Sequence, residues 1–130
     1  MPDPVSVEKA LRVGTATVGI PVMLIMVVPL GLFVVFGERL GLTGWFGLAG
    51  VVGPIAIAWL WWSVYLPRWR VWALERVTSP ADREELIARA IEGNLMWAPG
   101  HFFERTEIKS ERVRERERVV GWHEIRDSAR

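Results

Sequence analysis

The chain has 130 residues, of which 51% are hydrophobic and 24% are charged, and its formal net charge is +1. It contains no cysteine, which excludes disulfide bonds, thiol catalysis and metal sites with cysteine ligands. The near-neutral charge offers no bulk field for nucleic acid, so we expect no nucleic-acid partner.

Residues 1–12 form an N-terminal segment with the pattern of a short amphipathic helix. Ser6 is a candidate N-cap, and Val7, Ala10 and Leu11 follow it at helical spacing. The pattern leaves two interpretations open: the segment extends the apolar stretch that follows, or it lies flat on a membrane surface.

Two long apolar stretches, residues 13–37 and 40–67, contain no Asp, Glu, Lys, Arg or His. Each exceeds the ~20 residues that a helix needs to cross a ~30 Å hydrocarbon core. We therefore predict a transmembrane helix over residues 13–37, a short external loop over 38–44 and a second transmembrane helix over 45–67. The first stretch is too long for a signal peptide and lacks a small-residue cleavage site, so we expect it to be retained.

Positive charge is distributed unequally around this predicted hairpin. The loop contains only Arg39, whereas the other ends of the two stretches are flanked by Lys9, Arg12, Arg68, Arg70 and Arg76. Because cytoplasmic loops carry the excess of Lys and Arg, we predict an inner-membrane protein with both termini in the cytoplasm. The lipid bilayer is then its first partner.

Proline interrupts the first predicted transmembrane helix at Pro21 and Pro29. Each proline removes a backbone donor, so the carbonyl of Thr17, four residues before Pro21, loses its helical partner. In hydrocarbon such a carbonyl must be satisfied by another group. We expect kinks that fit the hairpin, with a gating hinge as the alternative.

The second transmembrane helix is rich in small residues, which let helix backbones approach closely in a membrane. The candidate helix-packing residues are Gly47, Ala49, Gly50, Gly53 and Ala56. Their partner is either the first helix of the same chain, near Gly31, or a second copy of the protein. The sequence therefore predicts a homo-oligomer or a membrane-protein partner.

Aromatic residues recur at helical spacing around the end of the second apolar stretch. Tryptophan and tyrosine concentrate at headgroup depth because an apolar ring carries a polar N–H or O–H. The predicted membrane-interface residues are Trp45, Trp59, Trp62, Tyr65, Arg68, Trp69, Arg70 and Trp72. We call the set from Trp59 to Trp72 the aromatic collar. We expect it to anchor the interface and pack against the tail, with a partner-protein surface as the alternative.

The remaining residues, 68–130, form a charged and mainly helical cytoplasmic tail. Ser79, Pro80 and Asp82 are typical of a helix start and Gly93 of a helix end, so we predict a helix over residues 80–92. Its apolar stripe must pack against the collar, against residues 95–97 or against another subunit. The charge run that follows Ser110 favours a capped helix over a strand, and we expect its charges to be solvated.

Candidate chemistry is sparse. The apolar stretches lack the ionisable groups of pumps and coupled carriers, and His101 and His123 have no paired metal-ligand spacing. No serine has a nucleophile-elbow context, and no glycine loop fits a phosphate. We therefore predict no enzymatic activity, no cofactor and no metal.

Together these patterns predict an all-α membrane protein, a two-span helical hairpin with a small cytoplasmic tail. The predicted function is a self-associating scaffold or accessory subunit, and the alternative is a homo-oligomeric channel. The order of the predicted elements resembles that of the large-conductance mechanosensitive channels: an amphipathic N-terminus, two spans and a charged cytoplasmic helix. That family has a long external loop and small residues in its first span, so the resemblance is limited to topology.

Overall fold

The computed structural model describes residues 3–97 and 102–128, and every regular element in these residues is helical. The predicted all-helical class is therefore confirmed for this part of the chain. The elements are α1 (Val7–Gly14), a π-helical turn (Thr15–Gly19), α2 (Ile20–Phe36), α3 (Trp45–Arg76), α4 (Pro80–Glu92), a 3-10 helix (Phe102–Thr106), α5 (Glu111–Val119) and α6 (Trp122–Ser128).

The N-terminal segment extends the first apolar helix. The helix runs without a break over Val7–Phe36, and the Ser6 hydroxyl caps it by accepting a hydrogen bond from the Lys9 N–H at 3.2 Å. The π-helical turn, in which the Ile20 N–H bonds to the Thr15 carbonyl, lies just before Pro21. Because proline removes a donor and crowds the preceding turn, a wider turn at this point accommodates it.

The second long helix, α3, returns beside α2 after a turn over residues 37–44. α2 ends with a hydrogen bond from the Gly37 N–H to the Phe33 carbonyl at 2.7 Å, and the Leu42 N–H bonds to the Gly37 carbonyl across the turn at 2.9 Å. Gly44, just before α3, has a φ of 60°, which glycine adopts without steric cost. α3 then continues for 32 residues through Pro67 to Arg76, so the helix extends past residue 67, where the predicted transmembrane segment ends.

The two long helices are long and apolar enough to cross a membrane. Over their most apolar stretches only 6% of the first helix and 17% of the second is buried, and α2 contains no buried residue. The hairpin therefore does not have the burial of a central helix in a water-soluble core.

The hydrophobic core lies instead at the other end of the hairpin from the turn. This base region consists of α1, the last turns of α3, α4 and the start of α6, with core residues Val7, Ala10, Leu66, Trp69, Leu74, Leu86, Ile87, Ala90, Leu95, Met96 and Trp122. α4 has the bounds predicted from the sequence, and its main helical neighbour is α1. The Val5 N–H also bonds to the Arg76 carbonyl at 3.2 Å, so the N-terminal segment and the tail lie at the same end of the hairpin.

Candidate functional site

The carbonyl that Pro21 leaves without a helical partner is satisfied from the other long helix. The Thr17 carbonyl accepts a hydrogen bond from the Trp61 indole N–H at 3.2 Å, and the Thr17 hydroxyl donates to the Val13 carbonyl at 2.7 Å. The proline in the first helix thus creates an acceptor that joins it to α3.

Two further indoles of the collar tie separate elements to α3. Trp69 donates to the Ala10 carbonyl at 2.9 Å and Trp62 donates to the Leu95 carbonyl at 3.3 Å. A Cβ atom added at Gly14 would lie 2.5 Å from the Trp69 ring, so this glycine allows the ring to reach the helix backbone. The inner side of the collar is therefore a packing surface for the N-terminal helix and for the segment after α4.

The predicted interface residues divide between exposed and buried positions. Trp45, at the turn end of the hairpin, and Trp59, Tyr65 and Arg68 on α3 are exposed, whereas Trp62 and Trp72 are half-buried. Trp69 and Arg70 are buried, with exposed fractions of 5% and 1%. Arg70 therefore does not present its guanidinium to the surroundings of the hairpin.

Arg70 belongs to a group of four charged side chains, here called the ion cluster: Arg70 and Glu117, which are buried, and Glu107 and Lys109, which are partly buried. Its guanidinium donates to both carboxylate oxygens of Glu107, at 3.0 and 2.9 Å, and to Glu117 at 2.5 Å. The Lys109 ammonium lies 3.1 Å from each of the same two carboxylates. Two cations and two anions balance, as buried charges require.

The surroundings of the ion cluster favour its charged state. Arg70 lies over the Trp122 ring, with its Cζ 4.1 Å from the ring centroid. Burial alone would raise the pKa of Glu107, but its hydrogen bonds and proximity to Arg70 and Lys109 outweigh burial and hold that pKa below its ordinary value. The cluster holds the segment before α5, α5 itself and α6 against the end of α3.

Pro67 contributes a second attachment of the same tail segment. Proline at position 67 leaves the Ser63 carbonyl without its helical donor, and this carbonyl accepts the Ile108 N–H at 2.9 Å. Ile108 lies between Glu107 and Lys109, so the backbone bond and the ion cluster act at one place.

α5 confirms the interpretation of the charge run as a capped helix, because the Ser110 hydroxyl accepts the Val113 N–H at 3.4 Å. The expectation that its charges are solvated holds only for its outer side. Glu117 is buried, and Arg116 donates to both oxygens of Glu75 on α3 at 2.8 and 2.6 Å. α5 is thus a docked helix.

The sequence does not indicate that Arg70 pairs with Glu107 and Glu117 or lies over the Trp122 ring. One local signal was available: Val113, Glu117 and Val120 share a helical face, which placed Glu117 among apolar residues. Nothing local identified Arg70 as its partner, because the two residues are 47 positions apart.

The small residues of α3 face two different environments. A Cβ added at Gly50 would lie 2.7 Å from the Phe33 ring, and one at Gly47 would lie 3.8 Å from it. Gly53 has open space beside it, and Ala49 and Ala56 are exposed. Gly50 and Gly47 therefore face α2 at the Phe33 ring, and Gly31 has nothing within 4 Å of its added Cβ.

Among the described residues, no group of three or more His, Asp or Glu side chains has the arrangement of a metal site. His123 is exposed, and His101 lies outside the described residues. No known protein family, curated protein or solved structure matches this chain.

Proposed function

We propose that the protein is a non-enzymatic scaffold or accessory subunit of the inner membrane, spanning it twice with both ends in the cytoplasm. The observation that carries this proposal is the apolar surface that both long helices leave exposed. Large apolar patches on water-soluble proteins are rare, and a lipid environment would cover this one. The apolar residues exposed on α2 and the first half of α3 include Met23, Leu24, Val27, Leu32, Val35, Phe46, Leu48, Val52 and Ile57.

The proposed orientation is supported by charge. The turn carries Arg39, whereas exposed Lys9, Arg12 and Arg68 lie at the base end of the hairpin. Burial of Arg70 in the ion cluster removes one cation from this count, and the excess at the base end remains. By the positive-inside rule the base end is cytoplasmic.

The scaffold would use two separate surfaces. The outer side of α5, held in place by the ion cluster, presents alternating charges to the cytoplasm for a protein partner, through Glu111, Arg112, Arg114, Glu115 and Arg118. Within the membrane, the open face of α3 at Ala49, Gly53 and Ala56 suits close packing of a second copy or of another membrane helix.

The channel alternative has less support. A pore for ions or polar solutes needs polar groups along its wall. The exposed face of α3 between Val51 and Leu60 consists of Val, Ile, Ala, Leu and Trp side chains. Such a face suits lipid or helix packing.

The proposal is tested by extracting the protein in native lipid nanodiscs, cross-linking it and measuring the mass of the products. We expect more than one copy, or a protein that co-purifies in a fixed ratio. Gly53→Leu, on the open face of α3, should reduce the self-cross-linked fraction, whereas Gly31→Leu, on the open face of α2, should not. A single copy with no co-purifying protein would contradict the proposal.

A further inference from the structure

A groove of ≈290 Å³ runs along the hairpin where the apolar helices meet the base region. It lies between the first long helix and α3 and is mostly apolar. Its walls are formed by Val13, Thr17, Tyr65, Arg68, Trp69 and Trp72. The groove thus contains one cation at the depth where the aromatic collar predicts lipid headgroups.

Arg68 is the distinctive residue of this groove. It is exposed, and in the described part of the chain it forms no ion pair with an acidic side chain; its guanidinium instead lies 5.6 Å from the centroid of the Tyr65 ring. Tyr65 in turn stacks on Trp61, with ring centroids 4.2 Å apart. The stacking holds the Tyr65 ring beside Arg68, whose exposed N–H groups stay available to an anion.

Further positive charge lies toward the cytoplasmic end of the groove. Arg76 is placed over the Trp72 ring, with its Cζ 4.8 Å from the centroid. On the other wall, exposed Lys9 precedes Val13 by four residues and therefore shares its helical face. The groove is thus apolar toward the membrane centre and basic toward the cytoplasm, the polarity of a phospholipid in the inner leaflet.

We propose that this groove binds one anionic glycerophospholipid, with the phosphate on Arg68 and an acyl chain along the wall formed by Thr17 and Tyr65. Arginine suits this site because its planar fork donates two N–H groups to one phosphate. Basic pockets between membrane helices on the cytoplasmic side bind acidic headgroups in this manner. The inference rests on the proposed membrane location.

The test is native mass spectrometry of protein released from nanodiscs that contain equal amounts of phosphatidylglycerol and phosphatidylcholine. We expect the retained lipid to be enriched in phosphatidylglycerol. Arg68→Gln should reduce this enrichment about fivefold, and Arg68→Lys, which keeps the charge but loses the planar fork, should keep only part of it. Thr17→Phe, which fills the groove without changing a charge, should reduce the enrichment as well.

Two control variants separate the groove from general electrostatic attraction. Arg112→Gln changes the net charge equally on the exposed tail, and Arg39→Gln removes an arginine at the opposite end of the hairpin; neither should change the enrichment. The inference would be overturned if the controls lost as much phosphatidylglycerol enrichment as Arg68→Gln, or if Arg68→Gln lost none. Failure of the wild-type protein to enter nanodiscs would contradict the proposed function, whereas entry without lipid preference would contradict only this inference.

Discussion

Gly50 of α3 lies directly against the ring of Phe33 on α2, and the missing side chain sets how closely the two helices approach. Gly50→Ala places a methyl group within 2.7 Å of that ring. We expect overpacking against this ring to cost about 1–3 kcal/mol of hairpin stability, opposed by the roughly 1 kcal/mol that alanine gains over glycine in a helix.

The matched control is Gly31→Ala on α2, because the added methyl group there meets nothing within 4 Å. The two variants are compared by their free energies of unfolding, measured in mixed detergent micelles. Equal stability of Gly50→Ala and Gly31→Ala would show that the Phe33 contact does not define the helix pair.

Glu107 makes the stability of the docked tail depend on pH. Its pKa is lowered in the folded protein, so the unfolded chain binds a proton more readily than the folded one. The stabilisation is therefore complete above the ordinary carboxyl value of about 4.3 and is lost as the pH falls from there through the folded pKa. We expect amide hydrogen exchange in residues 107–120 to accelerate over this acid range.

Glu107→Gln should remove most of this acid dependence. At neutral pH it should also lower the free energy of opening of residues 107–120 by up to about 3 kcal/mol, because Arg70 then loses one of its two carboxylate partners. Glu115→Gln is the control, since Glu115 pairs with Arg118 at an exposed position. An acid response that is unchanged in Glu107→Gln would contradict the role given to the ion cluster.

At the residue scale, local chemistry was predictable and distant pairing was not. The cap at Ser110 depends on residues within one helical turn, so the sequence sufficed to predict it. Arg70 next to an apolar stretch has the pattern of an interfacial cation, and its burial depends on Glu107, 37 positions away. Folding of the tail onto α3 decides its environment, and no short-range pattern records that contact.

Pro67 shows how one residue links two elements. It leaves the Ser63 carbonyl open for the Ile108 N–H, and Pro67→Ala would restore a competing donor within α3. We expect the Ile108 amide to exchange about fivefold faster in this variant, the factor for a lost hydrogen bond worth ~1 kcal/mol.

Pro54→Ala is the control for this prediction, because it makes the same chemical change in α3 but far from the tail. It should leave exchange at Ile108 unchanged, as measured by hydrogen exchange and mass spectrometry. The docking role of Pro67 would be wrong if the two alanine variants behaved alike.

At the element scale, the bounds of α4 followed from its start and stop residues. The sequence also indicated that Pro21 frees the Thr17 carbonyl. It did not indicate that Trp61 would satisfy this carbonyl, since that bond joins residues 44 apart. Likewise, the sequence suggested the collar, residues 95–97 or another subunit as the cover of α4, and α1, its main helical neighbour in the structure, was not among these candidates.

The whole molecule combines an exposed apolar hairpin with a base region that contains its core. The N-terminal segment and the tail meet at this base through the bond from Val5 to Arg76. Because both ends are held at one end of the hairpin, the two proposed membrane crossings would place them on the same side of a bilayer. Composition alone predicted the two long helices, whereas the joint packing of α1, α4 and α6 required the structure.

The most direct test of the membrane hairpin uses single cysteines, since the natural chain has none. Asp3→Cys, Thr43→Cys and Thr78→Cys place a thiol at exposed positions before, between and after the long helices. In sealed inner-membrane vesicles of known orientation, a membrane-impermeant maleimide should label Asp3→Cys and Thr78→Cys from the cytoplasmic face and Thr43→Cys only from the opposite face. Labelling of all three from one face, or release of the protein from the vesicles by alkaline carbonate, would contradict the account.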